Sequence, residues 1–438
     1  MSLTRSGYLT NKTDELKTLL TVRPISSPDY PQPSAFKVYR EKDGRMCIPR
    51  YFAKDHFGQL ESDKRPPPVS AKIEFSCPLK KEFRQDEAHA LGVESITTTG
   101  GGILSLPCGW GKTLCAISIA SHFKLRTMIV VHKEFLATQW EERIKQFCPG
   151  STIGRVQCDT LDLEHDFVIA LIQTMSQRDY PYGTFDTIGM LIVDEAHHVC
   201  ARAFSQFLFK LCPKYTLGLT ATPERKDGLT RLLYWFLGPQ FLCVERNSDN
   251  VKVKSIHFHG PFPGVTITQG GKLSMPNMIT DLTTIAERNQ LICAILHDLL
   301  KTDREILVLT DRREHAMYFV DEFPVSAGLY IGGMKEDQLE ESTKKRIIVA
   351  TFSLAQEGLD IPKLNTVLLV TPKSDIKQAV GRILRGRGNH PLVYDIVDHW
   401  TIFYSMYLKR CALYAQMSFE IEREESEPKE KLPKICLL

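Results

Sequence analysis

No window of about 18 uninterrupted apolar residues occurs in the 438-residue chain, which excludes a transmembrane helix. The start, Met1-Ser2-Leu3-Thr4-Arg5, lacks the apolar core of a signal peptide. The 12 cysteines include no C-x-x-C pair, which disfavours a zinc ribbon or a disulfide framework and fits a reducing compartment. Cys436 stands third from the end, where a prenylation box needs it fourth, so no lipid anchor is expected. Excess charge is scarce too: 55 basic against 52 acidic side chains leave a net of +3. That argues against a histone-like binder, although a local basic stripe can vanish in such a sum. What is present, 43% apolar and 24% charged residues, is the composition of a globular protein. The length predicts roughly two to four domains.

Residues 1–70 differ in texture from the rest. Pro31, Pro33 and Pro66-Pro67-Pro68 punctuate them. Asp43-Gly44 sits between Phe36–Arg40 and Met46–Pro49, which predicts a hairpin in a small β-rich accessory module ending in a stiff proline linker. From residue 71, apolar runs alternate with helical patterns. Ile103–Leu106, Met128–Val131, Phe167–Leu171, Met190–Val193 and Leu217–Leu219 read as buried strands, and Phe135–Phe147 as a helix. Leu237-Gly238-Pro239 breaks the series, and it resumes with Ile306–Leu309, Ile347–Ala350, Val367–Val370 and Leu392–Tyr394. Strand–helix alternation implies parallel α/β sheets. The expected domains are 71–243 and 244–418, followed by a charged flexible tail over 419–438.

Leu106-Pro107-Cys108-Gly109-Trp110-Gly111-Lys112-Thr113 follows a strand and opens a helix. Backbone N–H groups of such a loop converge on phosphate oxygens, Lys112 can reach the β and γ phosphates, and Thr113 can ligate magnesium. The usual pattern begins with glycine; here that position is Leu106. A carboxylate must complete the magnesium shell, and Asp-Glu-Ala-His occurs twice. Asp86–His89 lies in a charged run with no strand before it and reads as a solvated first helical turn. Asp194–His197 ends a predicted strand, so Asp194 is assigned to the metal and Glu195 to the attacking water. Gly218–Pro223 and Ala350–Asp360 also end predicted strands, and Gln378, Arg382 and Arg385 share one face of a predicted helix. That face suits a transition-state clamp.

In this order, Gly-x-Gly-Lys-Thr, Asp-Glu-Ala-His, Thr-Ala-Thr-Pro, Glu-Gly-Leu-Asp and Gln-x-x-Gly-Arg-x-x-Arg resemble a superfamily 2 DEAH-box helicase. Val131–Leu136 with Gln139-Trp140, Glu224–Gly228, Leu309–His315 and Tyr330–Gly333 narrow the resemblance to the XPB-like branch, especially its versions in large DNA viruses. It covers residues 75–415. It implies an α/β fold of two tandem RecA-like parallel-sheet domains with a cleft between them, beside the small N-terminal β-rich module. Its cofactors are ATP and Mg2+, held by Pro107–Thr113 and Asp194. Gln378, Arg382 and Arg385 match its last motif, whose arginines contact the γ phosphate. Thr220 and Thr222, with His197, match its coupling residues; Gly358 and Asp360 fall near the ribose. His132, Lys133, Thr174, Asp311, Arg312 and Thr351 match positions at the nucleic acid; for the first five a plain surface polar residue at a loop is the lesser alternative. The adenine-reading segment departs from the family: Phe83-Arg84 fits its leucine-arginine pair, but Glu87 stands where glutamine is usual and Gln85 comes two residues early. Arg84 and Gln85 are its candidates for the base. An amide matches adenine's donor and acceptor, and a carboxylate does not.

The implied activity is an ATP-dependent DNA helicase or translocase stepping 3′ to 5′, with mostly phosphate contacts. A double-strand translocase shares every motif, and an RNA helicase shares the tetrapeptide. A nucleotide-gated binder with dead chemistry is disfavoured by Lys112, Glu195 and Arg385. The implied setting is a monomer inside the host cell, in nucleus or cytoplasm or packaged in a virion. Its implied partners are DNA and transcription, repair or replication proteins, with no membrane.

Overall fold

The computed structural model describes residues 2–25, 33–58, 62–107, 109–200, 205–221, 224–225, 227–244, 251–261, 264, 266–267, 273–357, 361, 363–381 and 390–425. The chain divides into two compact units, residues 1–245 and 246–438.

The first unit is built on eight strands, in the order Thr160–Leu161, Ile153–Gln157, Phe167–Leu171, Thr127–Val131, Met190–Val193, Tyr215–Thr220, Gly101–Ser105 and Gln240–Cys243. All neighbours are parallel except the first pair. The unbroken apolar runs follow from the pleat, because successive side chains enter opposite cores. Met128, Val130, Leu191 and Val193 pack into one, while Ile129, Val131, Met190 and Ile192 pack into the other. The helix Glu134–Phe147 buries Leu136, Ala137, Trp140, Ile144 and Phe147, a stripe at helical spacing.

The N-terminal segment carries a four-stranded antiparallel sheet (Ser2–Thr4, Gly7–Asn11, Arg45–Ile48, Arg40–Lys42). Lys42 pairs with Arg45 across the two-residue turn Asp43-Gly44, whose φ angles of +50° and +75° match the twist of a tight hairpin. The hairpin strand begins at Arg40, not Phe36; Phe36–Lys37 pairs instead with Thr21–Val22. The segment is no separate body. Val22, Phe36, Val38 and Cys47 belong to a core of the large sheet. The Tyr51 hydroxyl lies 2.7 Å from Thr216 Oγ1, beneath the start of the phosphate-loop strand. A Cβ on Gly101 would fall 2.2 Å from that hydroxyl and 2.5 Å from the Leu237 carbonyl oxygen, so the position has room for glycine alone. Nor are Pro66–Pro68 a free spacer: Pro68 packs near Gly189, Ala71 N–H donates to the Lys124 carbonyl at 2.9 Å, and Ile73 is buried.

The second unit holds seven parallel strands, in the order Ala327–Tyr330, Ile347–Thr351, Ile306–Thr310, Thr366–Leu369, Leu392–Asp398, Lys252–Phe258 and Glu420–Glu425. The last strand corrects the expected flexible tail over its first residues. Lys252 reaches Glu422 at 3.1 Å and Lys254 reaches Glu424 at 2.8 Å, so the charges that suggested a solvated tail form a cross-strand ladder.

Candidate active site

Three neighbouring strands bring the chemistry to one edge of the first sheet. Ser105 is paired with Thr220, and Gly218 with Val193. The phosphate loop, Thr220 and the Asp194-Glu195 pair therefore emerge side by side at the carboxyl edge, where parallel sheets bind ligands. The second Asp-Glu-Ala-His copy is the one at this edge. The first, Asp86–His89, opens the helix Gln85–Thr99.

Leu106, in the place of the usual glycine, is fully buried. Its carbonyl accepts from Lys112 Nζ at 3.2 Å and its N–H donates to the Thr220 carbonyl at 3.3 Å, so the loop is tied to both the lysine and the neighbouring strand. Gly111, at φ +84°, caps the 12-residue helix Lys112–Phe123 with no side-chain cap bond. The leading N–H groups and the positive end of the helix dipole are left for an anion. Lys112 and Thr113 are half-buried in that first turn.

The residues expected to read the base have other duties. Gln85 is buried; its Oε1 accepts from Lys80 N–H at 2.9 Å and its Nε2 donates to the Trp110 carbonyl at 3.0 Å. A Cβ on Gly111 would lie 2.5 Å from that Nε2, so the amide is a strut under the phosphate loop. Arg84 donates to both Glu87 oxygens, at 2.5 and 2.6 Å, and this pairing holds the Glu87 carboxyl below its usual range. Trp110 meets Phe83 with ring centroids 6.0 Å apart and packs against the core.

Asp194 accepts from Trp140 Nε1 at 2.8 Å and from its neighbour's N–H at 2.9 Å. Burial, then the Glu195 charge, push its carboxyl pKa up, while Trp140 and Lys112 pull it down. A carboxylate held against that burial is a fit ligand for a hard cation, with Thr113 as its companion. Glu195 adopts φ +43°, a left-handed backbone uncommon outside glycine and typical of strained functional sites. Its Oε2 is buried without a hydrogen-bond partner. His197 Nδ1 lies 3.5 Å from that oxygen and 3.4 Å from Thr220 Oγ1, linking the carboxylate to the strand Tyr215–Thr220. Trp140 had looked purely like a core residue; a buried indole needs a partner for its N–H, and here the partner is Asp194.

His132, Lys133 and Thr174 follow neighbouring strands at the same edge. His132 is only 6% exposed, with its ring 4.1 Å from that of His198, so it is packed rather than presented. Thr174 Oγ1 accepts from Cys158 N–H at 3.4 Å. In the second unit Thr310 is paired with Thr351, which places Asp311, Arg312 and Thr351 together. Asp311 pairs with Lys373 at 3.2 Å, and Arg312 Nε donates to Thr280 Oγ1 at 2.8 Å. Gln378 lies on the helix Lys377–Gly381. Cys108, Thr222, Gly358, Asp360, Arg382 and Arg385 lie outside the described residues.

Residues 79–225 match the family model described as type III restriction enzyme, res subunit, and residues 287–387 that described as helicase conserved C-terminal domain. A protein of Acanthamoeba polyphaga mimivirus, provisionally named an ATP-dependent RNA helicase, is 35% identical over 434 residues, covering 90% of this chain and 81% of its own. A provisionally named helicase of Invertebrate iridescent virus 6 is 26% identical over 369 residues, covering 78% and 82%. Among solved structures, S. cerevisiae Dbp5 bound to RNA and ADP BeF3 superposes with a TM-score of 0.55 at 12% identity, over 78% of this chain and 89% of that one. Mss116p bound to ssRNA and AMP-PNP gives 0.56 at 15% identity, over 83% and 82%. At such identities the structural likeness speaks for the fold: two RecA-like domains.

Proposed function

The chain belongs to the superfamily 2 helicases, and from that premise we propose that it is a DNA-stimulated ATPase of the XPB-like branch that steps 3′ to 5′ and unwinds duplex DNA. The observation that carries the hydrolytic part is the convergence of Lys112, Thr113, Asp194, Glu195 and Thr220 on three adjacent strand ends. Lys112 and the loop N–H groups hold the phosphates of ATP. Thr113 and Asp194 would hold Mg2+, which when bound offsets phosphate charge. Glu195, whose Oε2 has no hydrogen-bond partner, orients water and takes its proton as the water oxygen bonds to the γ phosphorus. The bond to the ADP oxygen breaks, giving ADP and phosphate. His197, between Glu195 and Thr220, is placed to sense the change. Arg382 and Arg385, with Gln378, are proposed to stabilise the charge on the γ phosphate.

Turnover measured with single-stranded DNA, duplex DNA and RNA, followed by unwinding of tailed duplexes, tests this. Stimulation by DNA and separation of 3′-tailed duplexes are expected, with binding that weakens as salt rises. Stimulation by RNA alone would replace the reading with an RNA helicase, which the name of the mimivirus relative favours. Stimulation by duplex without strand separation would make it a translocase. Arg385→Ala should leave ATP binding intact and slow hydrolysis about 10³-fold or more; unchanged turnover would remove the arginine from the mechanism.

A further inference from the structure

Arg225 lies five residues past Thr220 and has no role in the scheme above. Its Nη1 donates to the His197 carbonyl, inside the Asp-Glu-Ala-His turn. Its Nε and Nη2 form a fork on Asp227, at 3.0 and 2.5 Å. Its own N–H donates to Thr230 Oγ1 at 2.9 Å. The pairing holds the Asp227 carboxyl below its usual range against the opposing effect of burial. Asp227 is gripped from a second direction: Ile25 N–H, in the N-terminal segment, donates to its carbonyl at 2.9 Å. Ile25 follows Val22, which is buried in the shared core, and its side chain lies over Gly228. A continuous line thus runs from the N-terminal segment through Ile25, Asp227 and Arg225 to His197, whose ring stands between Glu195 and Thr220.

We propose that Arg225 is a positioning residue for ATP hydrolysis, fixing the His197 backbone and through it the strained Glu195 turn, and that the N-terminal segment sets its hold by bracing Asp227. The inference rests on the hydrolytic reading of Glu195. The Glu195 backbone at φ +43° must be held by its surroundings, and the Arg225 bond to the His197 carbonyl joins those of Glu195 N–H to Asp194 Oδ1 and His198 N–H to the Glu195 carbonyl in doing so. An arginine suits the task because its planar fork clasps a carboxylate while another nitrogen donates elsewhere. The N-terminal segment acquires a role, as a brace on the coupling turn.

The test uses the full chain. Arg225→Ala should lower kcat by about 10- to 100-fold while KM for ATP stays within about twofold, since misplacement of the base affects the reaction more than binding. Arg225→Lys, which keeps a charged donor group but not the planar fork, should recover part of the loss. Ile25→Pro removes the bracing N–H together with the side chain over Gly228 and should lower kcat by roughly two- to tenfold. The same change should add nothing in an Arg225→Ala background, because both act along one line. Independently of turnover, hydrogen exchange at residues 194–198 should quicken in Arg225→Ala and not in Lys112→Ala. Unchanged exchange there overturns the proposal, as does an Ile25→Pro effect that adds in full to Arg225→Ala. Loss of kcat together with ATP affinity and faster exchange throughout the first unit would also overturn it, reducing Arg225 to a folding role. A wild-type chain with no ATPase on any nucleic acid would sink the hydrolytic reading instead, and the exchange measurement would still decide on Arg225.

Discussion

In the first unit, the fully buried polar side chains of the described residues include no Arg, Lys, Asp or Glu; in the second, Arg288, Asp395, Asp398 and Arg410 are all buried. Both units carry a parallel sheet with apolar cores on its two faces. The first keeps its chemically important charges at the strand ends, on Lys112, Asp194 and Glu195, where burial is incomplete and compensation is partial. The second uses charge as internal fastening. Arg288 forks onto Asp398 at 2.7 and 3.0 Å, joining the helix Ala286–Leu300 to a strand end. Arg410 forks onto Asp395 at 2.8 and 2.7 Å, Tyr414 adds a bond at 2.9 Å, and Arg410 Nη1 reaches the Lys373 carbonyl at 2.7 Å. A site proposed to take phosphate and a cation leaves its charge open to a ligand, whereas the second unit pairs each buried arginine with a buried carboxylate, Arg288 Nη1 alone lacking a hydrogen-bond partner. The same sheet serves both ends, and the placement of charge separates them.

Six changes would break or sharpen this contrast. Lys112→Ala or Glu195→Gln should reduce ATP turnover by at least about 10³-fold while leaving thermal melting nearly unchanged, because neither side chain fastens the core. Glu87→Gln in the first Asp-Glu-Ala-His copy should hydrolyse normally; the opposite result would reverse the choice between the copies. Arg288→Ala should do the reverse, costing about 3–5 kcal/mol of folding stability by leaving Asp398 buried and unpaired. Calorimetry or denaturant unfolding should register it in the second unit, with ATP binding by the first retained.

Next in size is a pH effect. His315, buried between Thr310 Oγ1 (3.0 Å) and Asn289 Oδ1 (3.1 Å), has its pKa pushed down from 6.5 to about 3 by burial and by the Arg288 charge. Its folded form stays neutral where the unfolded form takes up a proton. Stability therefore falls as pH drops from 6.5 toward 3, by about 1.4 kcal/mol per pH unit from this group, and is flat above. His315→Gln should remove that slope, which denaturant titrations at several pH values would show. Smallest is Lys254→Ala, which breaks the half-exposed pair with Glu424 and should cost at most about 1 kcal/mol, less at high salt.

Much of this architecture is legible in the chain alone. Runs such as Met190–Val193 and Ile306–Leu309 are short and rich in β-branched residues, as suits a sheet buried on both faces, and they are strands. Where sequence and structure part, contacts distant along the chain are the reason. Glu420–Glu425 looks like a tail until Lys252 and Lys254 lie beside it, some 170 residues away. Pro66–Pro68 look like a spacer until Pro68 meets Gly189. Gln85 has the right chemistry for adenine, but Lys80 and the Trp110 carbonyl occupy both ends of its amide. His132 has the spacing of a groove residue and is packed against His198.

The sequence by itself determined the alternation of strand and helix, the identity of the phosphate loop and which carboxylates could serve it, because hydrophobic periodicity and the strand–loop–helix pattern are local properties. Only the tertiary structure decided that Trp140 holds Asp194, that Gln85 supports the loop, and that Arg225 joins the N-terminal segment to the Glu195 turn. Those pairings depend on side chains from separate strands and helices arriving within about 3 Å of one another, and hydrogen bonding is too short in range for a linear pattern to reveal it.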